Sequence, residues 1–206
     1  MTAEIIEYSI QTAAMFVCAI IALVHAGRYK SRSWTLLALF YGCWVMDDTF
    51  WLLCRAFTGS SPEIGALADL NWYASIVFLY LLISRISPSE NSREKRVLPW
   101  LGVAFTLGMA VFFIVQWGNV VSNLIYAGLM GLLLFASIRR LLDGNNRKHR
   151  FFLIMILVFV LLVYAMWTVS CYFYEDTYAN PYYWFDLLIT VSLVLLIPAA
   201  KKAVAE

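Results

Sequence analysis

Long uninterrupted apolar segments constrain this chain more than any other feature. The run that starts at Phe151 reads FFLIMILVFVLL, twelve apolar residues in succession. A transmembrane β-strand alternates apolar and polar residues, so a run of this kind argues against a β-barrel. Only 14% of the residues are charged, against roughly 25% in soluble domains. We therefore predict an all-α integral membrane protein, because backbone polar groups in lipid must be paired within helices.

Seven apolar segments have about the length that a helix needs to cross a bilayer, roughly 20 residues. They cover residues 9–27, 34–57, 67–84, 98–117, 120–138, 151–173 and 183–200. The connections between them are short and leave no room for a soluble domain. The sequence thus predicts a single domain, residues 1–206, folded as a bundle of seven transmembrane helices in contact with the lipid bilayer.

Charged residues are segregated between the two ends of this predicted bundle. Fourteen of the fifteen basic residues follow predicted helices 1, 3, 5 and 7, and only Arg55 does not. Basic loops are enriched on the cytoplasmic side, so we predict the cytoplasmic (cell inner) membrane, with the amino terminus outside and the carboxyl terminus inside. Nine of the thirteen acids lie in the outer half, where they would attract cations. The basic loops 85–97 and 139–150 are interpreted as topological anchors or as a docking surface for a cytoplasmic partner.

The available residues exclude several membrane chemistries. Every Lys lies in a predicted cytoplasmic loop or at the end of the last helix, so a retinal Schiff base is not expected. Two His, His25 and His149, are too few for a bis-histidine haem or a histidine-rich metal site. Nucleotide-binding and hydrolase motifs do not occur. We expect no cofactor, no metal and no nucleic acid, and we favour a protein that is not an enzyme.

Two adjacent acids, Asp47 and Asp48, lie in the outer half of predicted helix 2. At 3.6 residues per turn, Trp44, Asp48, Trp51 and Arg55 share one face of that helix. A carboxylate at this depth costs about 2.5 to 3.5 kcal/mol when it faces lipid, so this face is predicted to point into the bundle or into a water-filled cavity. Arg55 is expected either to neutralise one of the two acids or to bind the ligand.

Polar and aromatic residues of three other helices are predicted at the same depth, around an outward-facing acidic and aromatic pocket. The complete candidate ligand-binding set is Trp44, Asp47, Asp48, Trp51, Arg55, Asp69, Asn71, Trp72, Trp167, Tyr183 and Asp186. Aromatic rings around carboxylates suit an organic cation or a ring-bearing polar solute. For Trp72, Tyr182, Tyr183 and Trp184 the alternative interpretation is an aromatic belt at the membrane interface or packing in the core.

Other acids and the cysteines receive a structural interpretation. The acids that precede or connect predicted helices, Glu4, Glu7, Glu63 and Glu175, are expected to be solvated. The four Cys lack Cys-x-x-Cys spacing and are expected to be buried thiols. A disulfide between Cys54 and Cys171 is the alternative, because both lie near outer helix ends.

Predicted helices 1 to 3 and 5 to 7 have the same orientations, which is compatible with a 3+1+3 parallel repeat joined by helix 4. Helices 2 and 6 also end alike, with Trp51 three residues before Cys54 and Trp167 four residues before Cys171. All five Pro are expected in loops or near helix ends, so helices broken at the midplane are not predicted.

Three functions are compatible with this pattern. The first is a transporter of a small solute, either cationic or coupled to protons. The second is a seven-helix receptor or sensory module that binds an extracellular small molecule and signals to a separate cytoplasmic partner. The third is an intramembrane enzyme or assembly subunit that uses the acid pair.

Overall fold

A computed structural model of the protein describes residues 3–59, 66–87, 97–143 and 147–204, and these are all-helical apart from short connections. The helices are α1 (Ala3–Tyr29), α2 (Arg32–Thr58), α3 (Ala66–Ile86), α4 (Leu98–Trp117), α5 (Val120–Leu142), α6 (Arg147–Ser170) and α7 (Pro181–Val204). All except α3 are long and apolar enough to cross a membrane. A multi-pass helical membrane protein is therefore supported, while the count of seven spans stays a prediction.

Several helix ends differ from the sequence prediction. α1 begins at Ala3 instead of residue 9, α5 continues to Leu142, and α6 ends at Ser170 instead of residue 173. The length of the apolar segment underestimates the length of the helix that contains it. A 27-residue helix is about 40 Å long, whereas the hydrocarbon layer is roughly 30 Å thick. Pro198 lies inside α7, not near its end as expected.

Six helices form two rows of three, and α4 packs outside them. In one row α1, α2 and α3 are neighbours, and in the other α5, α6 and α7 are neighbours. The rows meet where α1 packs on α7 and α3 packs on α5. Between the middle helices, Phe40 and Trp44 of α2 meet Phe159 of α6 edge to face, with ring centroids 6.4 and 6.1 Å apart.

Two glycines let α4 pack closely on α5. A Cβ at Gly102 would lie 3.0 Å from Cβ of Leu134, and a Cβ at Gly131 would lie 2.9 Å from Oγ1 of Thr106. Small residues at such crossings allow backbones to approach in membrane bundles. This contact is the main attachment of α4 to the two rows.

We expect Gly102→Val to destabilise the bundle by about 1 to 3 kcal/mol, the usual cost of overpacking. The matched control is Gly108→Val on the same helix, where an added Cβ meets nothing within 4 Å; its effect should stay within about 0.5 kcal/mol. Thermal unfolding of both variants in the same lipid discs measures the difference. Equal stabilities would contradict this packing of α4.

Candidate functional site

Three carboxyl groups from different helices meet at one end of the bundle. Glu7 of α1, Asp48 of α2 and Asp186 of α7 are buried, with 8%, 2% and 3% of their surface exposed. The carboxyl groups of Glu7, Asp48 and Asp186 are close enough for each to repel the other two when charged. We call these three residues the carboxyl cluster.

Donors to the carboxyl cluster are few. Nε2 of Gln11 donates to Oδ1 of Asp186 and to Oγ1 of Thr190, both at 3.0 Å. Within residues 3–59, 66–87, 97–143 and 147–204, both carboxyl oxygens of Glu7 and Oδ2 of Asp48 have no hydrogen-bond donor, and no Lys or Arg pairs with the cluster. Carboxylates only accept hydrogen bonds, so Glu7, Asp48 and Asp186 cannot satisfy one another while all three are charged.

This arrangement suits the binding of a proton or a cation. Several unpaired carboxylates in a buried site are costly, and a shared proton or a bound cation removes most of that cost. The site is closed in this conformation, because all three carboxyl groups are shielded from the surface.

Arg55 does not neutralise the acids of its own helix. Its Nε donates to Oε2 of Glu4 at 2.7 Å, its Nη2 pairs with the same carboxylate, and its Nη1 donates to the carbonyl of Gly59 at 3.1 Å. The expected pairing with Asp47 or Asp48 is therefore wrong. Because α1 begins six residues earlier than predicted, Glu4 reaches the level of Arg55, which lies about 10 Å along α2 from Asp48.

A layer of polar contacts covers the carboxyl cluster at this end. Oδ1 of Asp176, in the connection between α6 and α7, accepts from the backbone N–H of Glu4 at 3.0 Å and from the hydroxyl of Tyr183 at 2.9 Å. We call Glu4, Arg55, Asp176 and Tyr183 the rim. Tyr183 thus lies in the rim, not among the buried carboxyl groups. Trp51 is half-buried and stacks on Tyr8, with ring centroids 6.1 Å apart and planes 9° apart.

Asp47 points away from its neighbour Asp48, towards α3. The Asp47 carboxylate lies near the indole of Trp72, and Trp72 packs on Trp44 and Trp167, with ring centroids 4.5 and 5.9 Å apart. Tyr126 adds a fourth ring, 4.9 Å from Trp167. We call these four rings the aromatic cluster; Trp44 is buried, and the other three are partly buried and pack against the core.

Asp69 belongs to a separate network between α3 and α5. Its Oδ2 accepts from Oγ of Ser122 at 2.7 Å and its Oδ1 from the hydroxyl of Tyr126 at 3.1 Å. The hydroxyl of Tyr73 lies 2.9 Å from Oγ of Ser122. Asn71 is half-buried on α3, and none of its contacts with described residues joins it to Asp69 or to the carboxyl cluster.

Sequence reasoning missed Glu7, Gln11 and Thr190. Glu7 was interpreted as a solvated loop acid because it precedes the apolar segment, yet it is helical and buried. The available signal was the four-residue spacing of Glu7 and Gln11, which places both on one helix face. Glu4 is likewise helical and ion-paired, whereas Glu175 is exposed as expected. Glu63 lies outside the described residues.

All four cysteines are free thiols. Cys18 and Cys171 are buried, and Cys43 and Cys54 are half-buried. The alternative of a disulfide between Cys54 and Cys171 is therefore not supported.

Comparison with known proteins adds no relative. No family model matches the chain, and neither the curated proteins nor the solved structures give a significant match.

Proposed function

We propose that this protein is a small-solute transporter of the cytoplasmic membrane that takes a cationic solute or a coupling proton at Glu7, Asp48 and Asp186. The observation that carries the proposal is the burial of three mutually close carboxyl groups without a basic partner among the described residues. A purely structural role does not account for these three acids, because acids inside a membrane bundle are energetically costly and usually mark ion or proton pathways.

The aromatic cluster supports an organic cation as the solute. Oδ1 of Asp47 and Nε1 of Trp44 are buried beside the rings and have no partner among the described residues. Aromatic faces attract ammonium groups, most strongly when water is excluded. Asp47 and the four rings would thus receive the organic part of a solute, next to the carboxyl cluster on the other side of α2.

Two corresponding polar networks support the proposed 3+1+3 repeat. Glu7 and Gln11 of α1 face Asp186 of α7, and Ser122 and Tyr126 of α5 face Asp69 of α3. In each network, an Asp near the start of one helix contacts two residues near the start of another helix, and those two residues are four positions apart in the sequence. The α1–α7 contact thereby corresponds to the α5–α3 contact, as a twofold relation between the two rows would require.

Matching positions further along α3 and α7 agree with this relation. Ser75 and Ser192 are both buried, and each donates its hydroxyl to a carbonyl three residues earlier, at 2.7 Å. Parallel repeats of this kind let one half rock against the other around a central site. Rocking of the two rows would expose the carboxyl cluster to either side of the membrane.

Two-sided thiol labelling tests the transporter directly. Asp48→Cys and Asp186→Cys, each in a chain otherwise free of cysteine, are reconstituted in vesicles with known orientation. We expect a membrane-impermeant maleimide to label both positions from both sides, because rocking of the two rows opens the site to each side in turn. Labelling from one side only, under all conditions, would contradict alternating access.

The receptor is the second candidate, and the rim is the observation that favours it. A ligand that replaces Glu4 as the partner of Arg55 would change one contact between α1 and α2 at this end, and in a receptor that change would be transmitted along the helices to the basic end. The predicted docking loops 85–97 and 139–150 include residues 88–96 and 144–146, which lie outside the described residues. Ligand-dependent capture of one cytoplasmic protein, together with one-sided labelling, would favour this function.

A further inference from the structure

An apolar groove lies between α1 and α7, beside the carboxyl cluster. It has a volume of about 450 Å³, and its lining includes Ala14, Val17 and Cys18 of α1 and Val194 and Ile197 of α7. Val17 and Val194 are 54% and 41% exposed, so the groove opens on the outer surface of the bundle, where lipid is predicted. Between Ala13 and Ile21, which also line it, it extends about 12 Å along α1.

The groove and the carboxyl cluster lie on the same helix faces. One face of α1 presents, in order, Glu7, Gln11, Ala14, Cys18 and Ile21. The facing side of α7 presents Asp186, Thr190, Val194 and Ile197. Each series has spacings of three or four residues, which keep side chains on one helix face. The α1–α7 interface is thus acidic over its first turns and apolar over the next ones.

Gln11 and Thr190 separate the two parts. Gln11 is buried and its amide N–H groups reach both Asp186 and Thr190. Ala14 and Val194, groove residues on the same two helix faces, follow Gln11 and Thr190 by about one helical turn. A cationic group that replaces the Gln11 amide on Asp186 would therefore lie about one helical turn from the near end of an apolar chain placed in the groove.

We propose, on the basis of the transporter function above, that this interface takes amphiphilic organic cations from the bilayer, with the apolar chain in the groove and the charged group on Asp186 and Glu7. The groove by itself gives no selectivity, because lipid is as favourable for an alkyl chain as a protein surface is. Charge complementarity with the buried acids would provide it, since an anionic amphiphile of equal length is repelled there.

Electron paramagnetic resonance with chain-labelled amphiphiles tests this inference. The protein is reconstituted in phosphatidylcholine with a spin-labelled alkyltrimethylammonium or a spin-labelled alkyl sulfate of the same chain length. We expect the motionally restricted fraction of the cation to exceed that of the anion by about threefold or more. Asp186→Asn should lower this ratio towards one, because it removes the carboxylate that lies nearest to the groove through Gln11.

Val17→Trp tests the groove without touching the core. Val17 lies at the mouth and is mostly exposed, so a larger side chain blocks entry but leaves the packing intact; the cation-to-anion ratio should again fall close to one. The matched control is Val111→Trp on α4, a similarly exposed position, which should keep the ratio of the unmodified protein. Equal restriction of both probes in the unmodified protein, or a ratio that survives either Asp186→Asn or Val17→Trp, would overturn the proposal.

A second assay separates this inference from the transporter function. Tetramethylammonium has the same charged group but no chain, so its flux should be unaffected by Val17→Trp and lost in Asp48→Asn. Cation selectivity in the resonance experiment without any tetramethylammonium flux would contradict the transporter and leave the amphiphile site standing. Tetramethylammonium flux without cation selectivity in the resonance experiment would contradict the amphiphile site and leave the transporter function standing.

Discussion

Asp48→Asn is expected to reduce the flux of tetramethylammonium into proteoliposomes by about 100-fold or more. The substitution keeps the shape of a side chain that is almost completely buried but removes the charge facing Asp186 and Glu7. Loss of one partner in a buried charge interaction costs about 2 to 5 kcal/mol, and each 1.4 kcal/mol is a factor of ten. Flux is measured with a cation-selective electrode, and internal pH with an entrapped dye.

Correct folding of this variant has to be shown separately. Its size-exclusion profile and thermal unfolding temperature should match those of the unmodified protein, because Asn removes an unfavourable buried charge without leaving a cavity. A folded Asp48→Asn protein with unchanged flux would contradict the transporter function. Flux no greater than in protein-free vesicles for the unmodified chain would contradict it as well.

Glu7→Gln and Glu4→Gln are expected to differ sharply, although the two acids are three residues apart on α1. Glu7 belongs to the carboxyl cluster, so its substitution should reduce flux about 100-fold, on the same grounds as for Asp48. Glu4 forms the rim ion pair with Arg55, whose side chains are partly exposed. Such pairs contribute only about 0 to 1 kcal/mol, so flux should change by about threefold or less.

The same flux assay on matched preparations checks this pair of variants. Each one exchanges a carboxylate for an amide of the same size, which makes them controls for one another. Equal losses would indicate that the rim is part of the binding site, and equal retention would exclude Glu7 from the site.

The fold was predictable at the level of its elements. Apolar runs such as the one from Phe151 cannot be solvated by water, so they determine helices of membrane-spanning length regardless of their neighbours. The ends were less predictable, because polar residues such as Glu4 and Glu7 can continue a helix beyond the apolar segment when another helix satisfies them. The hydropathy pattern does not predict that α3 packs on α5 or that α4 lies outside the two rows.

The candidate site was partly predictable for the same reason. A mid-helix acid such as Asp48 must be buried in the bundle because lipid exposure is costly, and Asp186 follows from the same argument. The partners of these acids were not predictable. Helical periodicity places Trp44, Asp48, Trp51 and Arg55 on one face of α2. It does not predict which other helix each of these side chains contacts.

The sequence by itself determined a helical membrane protein, predicted most acids at one end and nearly all bases at the other, and required Asp47, Asp48 and Asp186 to avoid lipid. Each of these inferences depends on the cost of moving a single charged or peptide group into lipid. Only the tertiary structure decided that Glu7 joins the buried carboxyl groups while Glu4 pairs with Arg55. Those contacts depend on where α1 begins and on its register against α2 and α7. Register is fixed by side-chain packing across the whole interface, which no local pattern of residues encodes.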